Sequence, residues 1–164
     1  MTYFDKTILE VQQLRQFYFQ AIQNTEIAEK VLNQLSILPF KNNIQIAYEA
    51  AFEAFMAKKA WNPYQKLMHV DKAKRTFRKA IKLEESNLEF RFLRFSMNHH
   101  LPAFLQDSNI MEEDQNQILR LYAEGNFAGL DKNMLEKITS FLKNTGRFDQ
   151  ETCRLITKRF EEFS

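Results

Sequence analysis

The feature that most restricts this chain of 164 residues is the absence of glycine before Gly125. Glycine supplies the left-handed backbone of tight hairpins and of phosphate-binding loops, so the first three quarters of the chain exclude both. The three prolines fall where apolar residues at helical spacing stop or start, at Pro39, Pro63 and Pro102. The absence of glycine and the positions of the prolines predict an all-α fold, a helical bundle built from antiparallel helical hairpins.

Length and composition predict a single domain that spans residues 1–164, with residues 131–164 as a C-terminal helical hairpin appendage. Apolar residues make up 45% of the chain, which is enough for a sizeable core. The lone Cys153 cannot form an internal disulfide, which fits a reducing compartment. The N-terminus lacks the pattern of a signal peptide, and no stretch approaches the roughly 20 apolar residues that span a bilayer. We therefore expect a cytoplasmic protein without membrane insertion.

Apolar periodicity and capping residues predict seven to nine helices, with helical segments near residues 3–22, 25–35, 43–60, 63–83, 87–99, 109–124, 131–146 and from 149 onwards. Ser86 with Glu89, and Asn109 with Glu112, have the spacing of capping boxes at two helix starts. The helix over residues 87–99 is apolar on nearly every side. Its all-round apolar character predicts a central position, with two core residues at Phe92 and Phe95.

The small, aromatic and small packing positions of a tetratricopeptide repeat's second helix recur at Ala73, Phe77 and Ala80. Tyr64 matches the aromatic residue of the preceding helix, so this region resembles one degenerate repeat unit. The wider stretch from Trp61 to Asp114, about a third of the chain, is similar to uncharacterised small helical tetratricopeptide-like proteins of Bacteroidota-type bacteria. The resemblance implies a helical fold and a cytoplasmic bacterial setting, and it implies no established activity.

Two arginines on the apolar helix, Arg91 and Arg94, require partners because an unpaired buried charge is very unfavourable. One interpretation is an internal salt-bridge network with the acidic segment 112–114, and the sequence favours it. The other is a pocket for a carboxylate, a phosphate or an acidic chain terminus, which guanidinium groups bind well. The residues that this pocket would use are Trp61, Asn62, Tyr64, Arg91, Arg94, His99 and His100.

The sequence assigns no metal, cofactor or catalytic residue. Adjacent side chains on a helix diverge by about 100°, so His99 and His100 do not have the i, i+4 spacing of a metal-binding pair. Nucleophile-elbow, phosphate-loop and zinc-protease motifs are absent from the sequence. Enzymatic activity is therefore a minor alternative, placed around Arg91, Arg94 and His99.

Residues 66–82 carry seven Lys or Arg and one Asp, a local charge of +6 in a chain whose net charge is +2. These charges lie opposite an apolar stripe, as on an ordinary solvated helix, and the stripe comprises Leu67, Val70, Ala73, Phe77 and Ile81. Nucleic-acid or membrane-surface binding through this basic face is a lesser alternative, because no exposed aromatic residues are expected among the charges.

These observations favour a non-catalytic helical module or scaffold that takes part in protein–protein interaction. The alternatives are a small anionic-ligand or enzymatic site around Arg91, Arg94 and His99, and nucleic-acid binding through residues 66–82. A protein partner is expected, nucleic acid is disfavoured, and a homodimer is left open.

Overall fold

The computed structural model of the chain describes residues 10–163, which form eight α-helices and one short 3₁₀-helix, with no strand among them. Helices account for 79% of this structure, which confirms the predicted all-α helical bundle. The part of the predicted first helix over residues 3–9 lies outside the described residues. The α-helices are α1 (Val11–Gln23), α2 (Thr25–Ser36), α3 (Asn43–Lys59), α4 (Pro63–Leu83), α5 (Leu88–His100), α6 (Ser108–Glu124), α7 (Lys132–Asn144) and α8 (Gln150–Glu162), and the 3₁₀-helix is Ala103–Leu105.

Side-chain caps begin several of these helices where the sequence predicts them. The Asn62 side chain accepts a hydrogen bond from the backbone N–H of Tyr64, and Pro63 occupies the first turn of α4. Asp131 and Asp149 accept equivalent bonds at the starts of α7 and α8. Asn62 therefore has a defined structural role, because it satisfies a backbone donor that the helix leaves free.

The two predicted capping boxes are wrong. Helix α5 is capped by Asn87, and α6 is capped by Asp107, each through a side-chain oxygen that accepts from an N–H three residues later. Ser86 lies one residue too early, and its hydroxyl accepts a hydrogen bond from Arg120 instead. Asn87 and Asp107 cap about as well as Ser86 and Asn109 would, and they occupy the positions at which the backbone turns helical.

The chain divides into two compact units, residues 1–84 and residues 85–164. In the first unit, α3 packs against α1, α2 and α4. Small and large residues alternate along its buried sides, as the small Ala47 and Ala51 and the large Phe52 illustrate. This alternation allows neighbouring helices to approach closely, as the sequence indicates.

In the second unit, α5 packs against α6, and α8 packs against both α6 and α7. Every residue of α5 from Leu88 to Asn98 is buried. Phe92 and Phe95 are in the core as predicted, and each ring contacts Phe141 of α7. The C-terminal hairpin contributes to the same core, because Ile156 of α8 is fully buried.

Helix α4 runs without a break from Pro63 to Leu83, so Tyr64 lies on the same helix as Ala73 and Phe77. A tetratricopeptide repeat places the matching residues on two helices, and the repeat-like unit is not confirmed.

Leu67 was predicted in the buried stripe of α4, and that prediction is wrong because its side chain is half exposed. The residue lies about 80° round the helix from Phe77, beyond the edge of the buried stripe. Among residues 10–163, the helices are too short or too polar to cross a membrane.

Candidate binding surface on helix α4

The predicted site residues divide between the two units. Trp61, Asn62 and Tyr64 belong to the first unit, whereas Arg91, Arg94, His99 and His100 belong to the second.

The arginines of α5 are paired within the second unit. Arg94 donates from Nε and Nη2 to the two carboxylate oxygens of Asp114, at 2.8 and 2.7 Å. Arg91 donates from Nη1 to Asp114 Oδ1 at 3.2 Å and to Glu113 Oε1 at 2.8 Å. Two guanidinium groups thus meet two carboxylates, which balances the charge of the cluster.

Burial and the neighbouring arginines shift the pKa values of the two carboxylates in this cluster. Desolvation raises the pKa of Asp114, while the guanidinium groups of Arg94 and Arg91 oppose that rise. At the exposed edge, the hydrogen bond from Arg91 lowers the pKa of Glu113. Because Asp114 is fully buried between the arginines, an external anion would have to displace it to reach the donors that it occupies. This geometry is that of an internal ion-pair network.

The two histidines are engaged at the end of α5. His99 Nδ1 accepts a hydrogen bond from Arg147 Nε at 2.8 Å, and His100 Nδ1 donates to the Ser96 carbonyl at 2.8 Å. Burial lowers the pKa of His99, and the nearby His100 and Arg147 lower it further. Both rings also contact Phe141. Among residues 10–163, no three potential metal ligands from His, Cys, Asp or Glu lie together.

The strongest candidate for a binding surface is the outer face of α4 in the first unit. Trp61 is 87% exposed and Tyr64 is 75% exposed, while Leu67 and Met68 are 53% and 51% exposed. Tyr64, Leu67 and Met68 lie over the first turns of the helix at spacings of three and four residues, and Trp61 lies immediately before the capping residue Asn62. We call these four residues the apolar patch. Clusters of large exposed apolar side chains typically mark interaction sites.

The face continues beyond the patch as a row of cations, which we call the basic row: Lys72, Arg75, Arg78, Lys79 and Lys82, all exposed. Tyr64, Arg75 and Lys82 lie nearly in line, because their separations are close to about three and five whole turns. Asp71 is the acidic residue between patch and row, and it forms an ion pair with Arg75. No carboxylate among residues 10–163 pairs with Arg78, Lys79 or Lys82.

A buried carboxylate of α3 holds α4 in this orientation. Glu53 is buried, and its Oε1 accepts a hydrogen bond from His69 Nδ1. Its Oε2 lies 3.4 Å from Lys72 Nζ. Both partners come from α4, so the pair of contacts favours one rotation of that helix about its axis. In this rotation Val70, Ala73 and Phe77 are buried and the apolar patch points outward.

Sequence reasoning singled out Trp61 and Tyr64 but missed two members of this surface, Leu67 and Met68. The available signal was the run of apolar residues at spacings of three and four from Trp61 to Met68. The role of Glu53 was also missed, although an acid that lies between alanines and aromatics on α3 is the type of residue that requires a partner when it is buried.

No protein-family model, curated protein or solved structure matches this chain. The resemblance to small tetratricopeptide-like bacterial proteins therefore stays a prediction.

Proposed function

We propose that this chain is a non-catalytic helical interaction module that binds another protein through the outer face of α4. The apolar patch supports the proposal, because four large apolar side chains are exposed within eight residues of one another. Tryptophan, tyrosine, methionine and arginine are the residue types that protein interfaces favour at their centres. The apolar patch supplies three of these types, and the adjoining basic row supplies the fourth.

The small-ligand alternative around Arg91, Arg94 and His99 has less support. Its two arginines already donate to Asp114 and Glu113, and His99 already accepts from Arg147. An added anion would compete with a carboxylate that is held by three hydrogen bonds from two guanidinium groups. On α4, the apolar patch and the cations of Arg78, Lys79 and Lys82 require no such displacement before a partner binds.

The proposal is tested by co-purification from an extract of the cells that produce the chain, followed by mass spectrometry. The tagged parent is compared with a Trp61→Ser, Tyr64→Ser double variant. The matched control is Phe104→Ser, which removes an 85% exposed aromatic side chain from the second unit. Substitutions at such exposed sites change stability by about 0.5 kcal/mol or less, so all three proteins should melt alike.

We expect the parent and the Phe104→Ser control to retain the same protein, and the double variant to lose it. Equal retention by all three proteins at equal melting temperature contradicts the role of α4.

A further inference from the structure

We infer that the partner of α4 is an acidic protein segment in which a cluster of apolar residues is followed by several carboxylates. The inference rests on the proposed function and specifies the chemistry of the partner. It follows from the order of the apolar patch and the basic row along one helix face.

The charge of the first unit favours an acidic partner. Residues 1–84 contain 13 Lys or Arg and 8 Asp or Glu, whereas residues 85–164 contain 10 and 13. Much of the positive excess lies on α4, where Arg78, Lys79 and Lys82 have no carboxylate partner among residues 10–163. Complementary charges on a partner speed its encounter and fix its register.

The arrangement along the helix also sets the order of groups in the partner. The helical part of the apolar patch, from Tyr64 to Met68, extends over about 6 Å, and the basic row covers about 15 Å from Lys72 to Lys82. A matching segment places apolar anchors at one end and carboxylates over the next 15 Å or so. The anchors contact Trp61 and Tyr64, and the carboxylates pair with the basic row.

A second copy of the chain is a poorer match for this face. In a two-fold dimer formed through this face, the basic row of each copy lies against either the basic row or the apolar patch of its partner, and neither supplies a set of carboxylates. Both arrangements leave Arg78, Lys79 and Lys82 without carboxylates to pair with, and the first also juxtaposes like charges.

Nucleic acids and anionic membrane surfaces also match the outer face of α4 less well than an acidic protein segment does. Single-stranded nucleic acid is bound by aromatic residues that alternate with cations along the strand, whereas Trp61 and Tyr64 both lie at one end of the face. A helix that lies in a membrane surface buries an apolar face along its length, but the line of Tyr64 continues as Asp71, Arg75 and Lys82. A protein segment can place a different residue opposite each of these positions.

Trp61 is the single tryptophan of the chain, so its fluorescence reports directly on the apolar patch. The full chain is titrated with a synthetic peptide about five helical turns long, with Leu and Phe near one end and Glu in the remainder. A second peptide has Gln in place of every Glu. Vesicles of phosphatidylserine with phosphatidylcholine, and oligothymidylate, are the polyanion probes.

We expect a blue shift of Trp61 emission with the Glu peptide and roughly tenfold weaker binding of the Gln peptide. A Lys79→Glu, Lys82→Glu double variant should abolish that preference. The matched control is Lys132→Glu, Lys143→Glu, which makes the same charge change at exposed sites of the second unit and should bind like the parent.

Equal affinity for the Glu and Gln peptides overturns the inference, as does a fluorescence response to vesicles or oligothymidylate alone, or to no probe. The proposed function fails separately. If the Lys79→Glu, Lys82→Glu variant still retains the co-purified protein and the Trp61→Ser, Tyr64→Ser variant loses it, the interaction surface stands and its acidic partner is wrong.

Discussion

Helices α4 and α5 both carry arginines and aromatic residues, but their side chains have opposite environments. On α5, Arg94 is buried and its guanidinium meets Asp114 of α6. On α4, Arg78 is exposed and has no carboxylate partner among residues 10–163. The difference arises from the neighbouring helix, because α6 presents two adjacent carboxylates to α5. Cations of the same type are thus structural on one helix and available for binding on the other.

The aromatic residues show the same contrast. Phe95 is fully buried and its ring contacts Phe141 and Phe148. Tyr64 is exposed at the start of α4 and contributes its ring to the apolar patch. A partner protein can therefore cover Tyr64 without disturbing the core, whereas Phe95 is committed to stability.

The two helices should differ most in how much stability is lost when an aromatic side chain is replaced by alanine. Phe95→Ala should lower the free energy of unfolding by roughly 3–5 kcal/mol, because it leaves a cavity in the core. Tyr64→Ala should change it by about 0.5 kcal/mol or less, because the side chain is exposed. Chemical denaturation of both variants measures the difference. Similar losses for the two would show that α4 and α5 do not differ in this way.

The second comparison removes one arginine from each helix. Arg94→Met should lower the free energy of unfolding by about 3 kcal/mol, because Asp114 loses its bidentate partner inside the protein. Arg75→Met breaks an exposed pair with Asp71 and should cost about 0.5 kcal/mol or less.

A thermal-shift panel of carboxylates and phosphates distinguishes the network from a pocket. The internal network predicts that no compound stabilises the parent, and that Arg94→Met melts lower with or without ligand. Unchanged melting of Arg94→Met, with loss of a ligand-induced shift seen in the parent, would restore the anion pocket.

The smallest effect concerns pH at the end of α5. Because burial, His100 and Arg147 lower the pKa of His99 in the folded state, the unfolded chain takes up this proton first as the pH falls. The stability contributed by neutral His99 is therefore present above its ordinary pKa of about 6.5 and declines as the pH falls towards the lower folded-state pKa. The decline is complete below the folded-state pKa.

His99→Gln should remove this part of the pH dependence. Arg147→Gln should weaken it, because the guanidinium no longer opposes protonation of the ring. Denaturation curves across the range from about pH 7.5 to pH 5 test both expectations. The expectation is contradicted if acidification stabilises the parent and His99→Gln removes that stabilisation, because the pKa of His99 would then be raised in the folded state.

Much of the fold could be predicted from local sequence. Asn62 with Pro63, Asp131 and Asp149 mark helix starts through bonds to backbone groups a few residues away. The central position of α5 was also predictable, since a helix that is apolar all round must be covered. The errors arose where two signals compete locally, as at Ser86 and Asn87, or where the edge of a buried stripe is ambiguous, as at Leu67.

The candidate surface was only partly predictable, because exposure is a property of the packed helices. The sequence showed that Arg94 needed a carboxylate and offered Glu112, Glu113 and Asp114, and only the packing of α5 on α6 selected Asp114 as its bidentate partner. It likewise contained the spacing of the apolar patch without indicating that α3 leaves that side of α4 uncovered.

The local sequence is enough to place the helices, most of their starts and the burial of α5, since these follow from residues within a few positions of one another. The tertiary structure decided which charges are neutralised and which face of α4 stays exposed. Those outcomes depend on contacts between distant residues, such as Arg94 with Asp114 at a separation of 20 and His69 with Glu53 at a separation of 16. Spacing along one helix places side chains on a common side, but only the neighbouring helices determine whether that side is covered.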